Sequence, residues 1–314
     1  MKALVKHAPG DGNVDILDVQ EPSCGENQIK VEVAYCGVFG TDIHVLHDTF
    51  RNYPPVILGH EFAGTVVEVG RQVRDVHLRD KIAGLGATAV TCGRCQYCLS
   101  GHFIFCANRR GMGHGVDGGF ARFVVMRPDQ LYRVPEGLPL EEAALSEPFA
   151  AAIQAVTEVS KVRIGDTALI SGPGPMGLLC LKLLVAEGIR TIVAGARGDG
   201  ARLDAARRFG AAAVVNVGEQ NLLDVVRENT DGLDPKSQLR AVPFPSKVHG
   251  VQVSVGSRIA SRLTASRIHT PHGSGRPPAT SPRTVRARHW DVGRHPLLII
   301  APRILSALRQ AASR

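Results

Sequence analysis

Thr167-Ala168-Leu169-Ile170-Ser171-Gly172-Pro173-Gly174-Pro175-Met176-Gly177, continuing through Leu178 to Glu187, decides the fold. A short buried-type strand runs into glycines spaced G-x-G-x-x-G, and a helical pattern follows. Strand, glycine turn, helix is the order a dinucleotide fingerprint requires. The glycines let the backbone approach a pyrophosphate, and the helix N-terminus favours the anion. Gly172, Gly174, Pro175, Met176 and Gly177 are therefore expected to cradle NAD or NADP.

Downstream, Arg190-Thr191-Ile192-Val193-Ala194 reads as a second strand, and the chain then offers Gly195-Ala196-Arg197-Gly198-Asp199. An acid near this point would bind a ribose 2′-hydroxyl, whereas an arginine would meet a 2′-phosphate. Asp199 suits the first, Arg197 the second, and the sequence alone leaves NAD against NADP open. Arg202, which opens the next expected helix (Arg202 to Phe209), is a further cofactor candidate. Ala213 to Asn216 reads as a strand and Asn221 to Asn229 as a helix, which continues the βα alternation of a doubly wound domain.

Upstream, Gly59-His60-Glu61 and Cys36 supply a thiol, an imidazole and a carboxylate, three ligand types of an open zinc site. Cys92, Cys95 and Cys98 are followed by Cys106, and four thiols at this spacing can enclose one tetrahedral Zn²⁺. With no position left open, that second site is structural, and in zinc peptides such a site contributes on the order of 10 kcal/mol to folding. Ile29 to Tyr35 alternates at period two, and Glu61 to Gly70 reads as another strand. Short strands with glycine-rich turns suggest a small barrel.

Several stretches together resemble the zinc-dependent medium-chain alcohol/polyol dehydrogenases, sorbitol dehydrogenase-like branch. They are Cys36-Gly37-Val38, Gly40 to His44, Pro54 to Glu61, the four-cysteine lobe, Asp117 to Ala121 and Ser146 to Ala150. The resemblance covers about residues 1–232. It implies an α/β chain with a GroES-like β-barrel catalytic domain (1–149) and a Rossmann domain that begins at 150–234. It places Cys36, His60 and Glu61 on a catalytic zinc, with Glu147 as an alternative or water-mediated ligand. Read by itself, Glu147 is also an acid suited to a helix start. Cys92, Cys95, Cys98 and Cys106 become the structural zinc lobe, and Thr41 and His44 the proton relay. A hydroxyl followed by an imidazole that titrates near neutrality makes a chemically sensible wire.

Two departures stand out. Phe39 replaces a cysteine common in relatives, and Arg79-Asp80-Lys81 replaces a Gly-Asp-Arg turn, so Arg79 is expected to avoid positive φ. The implied reaction moves a hydride from a secondary alcohol or polyol to NAD(P), with two zinc ions bound. The family also implies a homo-oligomer, which an incomplete cofactor domain would put in question. The competing readings are a zinc-stabilised protein without turnover and a basic-tailed binding protein.

The net charge of +8 is unevenly placed: residues 235–314 hold 14 Lys and Arg but a single acid, Asp291. A basic arm could seek nucleic acid or an acidic partner. Against nucleic acid, the charges are dispersed and only Phe244 and Trp290 offer stacking surfaces. The reading favoured here is a change of reading frame near Leu233-Asp234-Pro235. It leaves the Rossmann half incomplete, with an unpaired sheet edge. No apolar run reaches membrane-spanning length, and the first residues lack a signal pattern, so a cytoplasmic location is expected. The seven cysteines then favour metal over disulfides.

Overall fold

The computed structural model describes residues 1–160, 162–163 and 165–230, together with the backbone of 239–241. The chain divides into two compact units between Pro148 and Phe149. Both readings of the 235–314 tail otherwise lie outside the described residues.

The first unit is built on antiparallel pairing. Strands β1 (Lys2–Lys6), β2 (Val14–Asp18) and β4 (Val56–Ile57) form one sheet in the order β2-β1-β4. Strands β3 (Ile29–Gly37), β5 (Glu61–Val69), β6 (Lys81–Gly84), β7 (Phe123–Met126) and β8 (Leu131–Arg133) form another in the order β7-β3-β5-β6-β8. The expected barrel is not closed: β7 and β8 occupy opposite edges of the second sheet and do not pair. The segment leading into β7 reaches the first sheet instead: Leu4 N–H donates to Phe120 O (2.9 Å), beside an antiparallel bridge between Ala3 and Ala121. Ile29, Val31, Val33, Leu58, Phe62 and Ile82 fill the core, each at most 1% exposed. Burying side chains of this size stabilises by roughly 1.5–3 kcal/mol apiece.

Period-two alternation holds only in part of β3. Ile29, Lys30 and Val31 are all buried, because the Lys30 ammonium reaches out to Glu21 (2.5 Å) while its stem stays in the protein. A second correction concerns Arg79, which adopts φ +73°. A left-handed conformation costs an L-residue roughly 1–2 kcal/mol. The turn compensates through its hydrogen bonds. Arg79 N–H donates to Val66 O (2.9 Å), Asp80 N–H to His77 O (3.2 Å), and His77 N–H to the Asp80 carboxylate (2.9 Å).

The second unit is parallel throughout. β9 (Thr167–Ser171), α5 (Pro175–Ala186), β10 (Arg190–Gly195), α6 (Gly200–Arg208), β11 (Ala213–Asn216) and α7 (Leu222–Asn229) alternate along the chain. Asn221 caps α7 by accepting from Leu223 N–H (3.0 Å). Helix α5 buries Met176, Cys180, Leu181 and Leu184, a helical stripe that covers one face of the sheet. The sheet order is β11-β10-β9-β12, where β12 is Leu239–Ala241. The outer side of β9 is therefore paired, and the three-residue β12 stands at that end of the described sheet. Leu239 to Ala241 runs parallel to Thr167 to Leu169, on the side of β9 opposite β10.

Candidate metal centre and cofactor loop

Helix α1 (Gly40–Leu46) leaves the end of β3, and β5 begins at Glu61, directly opposite Gly37 in the register. This pairing brings the Cys36 end of β3 beside the His60-Glu61 step. Gly59 makes the approach possible. Its φ is +90°, and a Cβ there would sit 2.8 Å from both Cys36 Sγ and the Phe120 ring. Glu147 comes from the first turn of α4 (Ser146–Ile153). His60, Glu61 and Glu147 each offer a ligand atom within 4.8 Å of the others. Cys36 falls outside that set. Its thiol is buried, packed at Gly59, and held well above its ordinary pKa by burial, then by Asp42 and Glu61.

The residues present fit a cation. Glu61 is 3% exposed, and its Oε1 is buried without a hydrogen-bond partner among the described residues, as is His60 Nδ1. Such groups each cost about 1–3 kcal/mol when left unmet. Burial, then Glu147 and Asp42, pushes the Glu61 carboxyl up to about 8. Burial also raises Glu147, and His60 opposes that shift. A divalent cation would meet the orphaned oxygen and relieve the repulsion among the acids.

Asp42, to which the sequence reading gave no role, organises this centre. It is 1% exposed and accepts from Phe39 N–H (2.9 Å) and Gly59 N–H (3.2 Å). Its carboxylate stands 3.9 Å from His60 Nδ1, so it faces the ring without yet bonding it. Burial raises its pKa, with His60 countering. Phe39 meets the same imidazole edge-on at 5.9 Å. An acid at the third helical position was the available signal, since it can reach back to the helix start.

Thr41 and His44 both lie on α1. His44 Nδ1 is paired with Thr49 Oγ1 (3.1 Å).

The four-cysteine lobe is preformed. Cys92, Cys95, Cys98 and Cys106 bring their sulfurs within 4.8 Å of one another, and Cys92 Sγ and Cys98 Sγ are 3.9 Å apart. Vertices of a tetrahedron with bonds of about 2.3 Å stand roughly 3.8 Å apart. Backbone N–H groups already point at the sulfurs: Cys92 to Cys106 (3.4 Å), Cys95 to Cys92 (3.4 Å) and Cys98 to Cys95 (3.5 Å). Donors from Arg94 and Cys95 pull the Cys92 thiol down, towards thiolate. All four are free of disulfides.

In the second unit the glycine loop leaves space for an anion. A Cβ on Gly174, which caps α5, would meet nothing within 4 Å. One on Gly177 would fall 2.1 Å from Gly172 O, so the third glycine serves close packing. Asp199 is committed to its own turn. It accepts from Ala196 N–H (3.0 Å) and pairs with Arg202 (3.0 Å). Arg197 is exposed beyond the end of β10 and has no carboxylate partner among the described residues.

Residues 25–136 match the family described as "Alcohol dehydrogenase GroES-like domain". The chain is 37% identical over 232 residues to sorbitol dehydrogenase of Halalkalibacterium halodurans, covering 74% of this chain and 67% of the relative. It is 36% identical to D-arabitol-phosphate dehydrogenase of Enterococcus avium, covering 74% and 66%. A zinc-binding dehydrogenase of Sinorhizobium meliloti, solved bound to NADP, superposes with a TM-score of 0.65 at 34% identity, covering 72% of this chain and 64% of that one. The fold and sites thus define a metal-dependent, nucleotide-linked oxidoreductase architecture. The chain belongs to the zinc-dependent medium-chain alcohol/polyol dehydrogenase family. It spans about two thirds of the length of these relatives. No described helix is long and apolar enough to cross a membrane.

Proposed function

We propose that the chain is a zinc-dependent oxidoreductase that transfers a hydride from a secondary alcohol or polyol to NADP. Residues 1–149 are assigned to catalysis and 150–234 to the first part of the cofactor domain. The observation that carries this reading is the buried His60, Glu61 and Glu147 cluster with its unpartnered Glu61 oxygen. Cys36 is assigned as a further ligand, since its thiol adjoins Gly59 and feels the Glu61 charge.

A zinc ion at this centre supplies a Lewis acid for the alcohol oxygen. The chain's own residues do the rest. Asp42, which faces His60 Nδ1 at 3.9 Å, would orient the ring by closing to hydrogen-bond distance. Thr41 accepts the hydroxyl proton as it gives its own proton onward, and His44 Nε2 receives a proton and releases it to solvent, with Thr49 holding the other ring nitrogen. Gly172, Gly174, Pro175, Met176 and Gly177 receive the cofactor pyrophosphate at the start of α5. Arg197 meets the 2′-phosphate because Asp199 is engaged by Ala196 and Arg202. The relatives are named for sorbitol, arabitol phosphate and threonine, so the alcohol itself is best found with a panel. Polyols, butanediol and threonine, each with NAD and NADP, should give an alcohol-dependent rise in reduced nicotinamide absorbance. Cys36→Ser should abolish that rise with the fold retained. A His60→Ala variant as active as the parent would contradict the assignment.

A further inference from the structure

A pocket of about 180 Å³ opens in the catalytic unit, lined by Phe50, Arg51, Tyr53, Ile104, Arg109 and His114 among others. Its walls are tied to the proposed catalytic residues. Phe50 N–H donates to His44 O (3.3 Å), and Phe50 meets the His114 ring edge-on at 5.0 Å. His114 follows Gly113, where a Cβ would be 2.9 Å from the Gly59 backbone beside His60.

Three guanidinium groups gather around this pocket. Arg51 and Arg110 lie over the Tyr53 ring, at 5.1 and 4.2 Å from its centroid. Arg109 enters the wall half-buried and is anchored by a bond to Ala87 O (2.7 Å). None of the three arginines has a carboxylate partner among the described residues. Burial and the neighbouring Arg51 charge depress the Arg109 guanidinium, and Cys106, which also lines the pocket, opposes that shift. The His114 Nδ1 is buried without a partner there. Guanidinium groups gathered in a concave site whose described lining holds no carboxylate favour an anion. Paired guanidinium groups match a phosphate in geometry and charge.

We propose that this pocket binds a phosphate monoester dianion carried by the substrate, so that the enzyme acts on phosphorylated polyols. This rests on the dehydrogenase reading above. Arg51 and Arg109 hold the phosphate oxygens and His114 stands at the pocket wall, while the carbinol end lies toward His60 and Glu61.

The test has two arms, both on the full zinc-loaded chain. In the first, calorimetric titration compares inorganic phosphate, a polyol 1-phosphate and the same unphosphorylated polyol, without turnover. The polyol phosphate should bind at least about tenfold more tightly than either of the others. Arg51→Met and Arg109→Met should each weaken it by about tenfold or more, the loss expected for a charge-assisted bond. Arg51 is exposed, so its variant keeps the test valid if Arg109→Met fails to fold. In the second arm, the kcat/KM ratio of phosphorylated to unphosphorylated polyol should fall in both variants, mainly through KM. Equal binding of inorganic phosphate and polyol phosphate would overturn the substrate assignment. Arginine variants that bind the ester like the parent would overturn the site. Tight, arginine-dependent binding with no turnover on any alcohol would instead uphold the pocket and remove the dehydrogenase reading.

Discussion

Asp42→Asn retains an oxygen for the Gly59 N–H but deletes the charge facing His60. Partners behind a ligating histidine typically matter 10- to 100-fold in metal affinity, so we expect roughly a tenfold loss at this centre, read by chelator competition. Affinity equal to the parent would remove Asp42 from the metal's support. Arg79 gives the opposite sign. Arg79→Gly relieves a φ of +73° and should raise unfolding free energy by about 1 kcal/mol in denaturant titration. The cost to the parent was invisible in sequence because the turn's hydrogen bonds to Val66, His77 and Asp80 are what hold the residue there. Asp42 was hidden for a related reason. Its nearness to His60 depends on the β3–β5 register, not on any local spacing.

At the scale of elements, the contiguous patterns were the legible ones. The strand, glycine turn and helix at 167–186 formed where their period and glycines placed them, because each signal is local. The four cysteines likewise lie within one short loop segment and converge on one another. Closure of the barrel was not legible, since it depends on whether β7 and β8 meet, and they end at opposite edges. The short β12 was missed as well: three residues, Leu239 to Ala241, show no usable period, and only the free side of β9 recruits them. The loop after β10 yields a specificity prediction. Arg197→Ser should raise KM for NADP by about tenfold while leaving KM for NAD nearly unchanged, by steady-state kinetics with each cofactor. A loss that falls equally on both cofactors would contradict the assigned 2′-phosphate contact.

For the whole molecule, the buried acids link metal to pH. In the metal-stripped protein, Glu61 has a pKa raised from 4.5 to about 8. Between these values the folded form holds a proton that the unfolded chain has released, so stability falls as pH rises through this window. Thermal melts of the stripped parent should therefore lose more stability between about pH 5 and about pH 8 than those of stripped Glu61→Gln, and zinc should remove the difference because it replaces the proton. Parallel pH profiles for the stripped parent and the variant would refute the buried-acid account.

The central claim is that the chain carries a catalytic zinc at His60, separate from the zinc of the cysteine lobe. Zinc content per chain by mass spectrometry, measured on the parent and on folded His60→Ala, tests it most directly. The two clusters predict about two ions in the parent and about one in the variant. Equal zinc in both would contradict the claim.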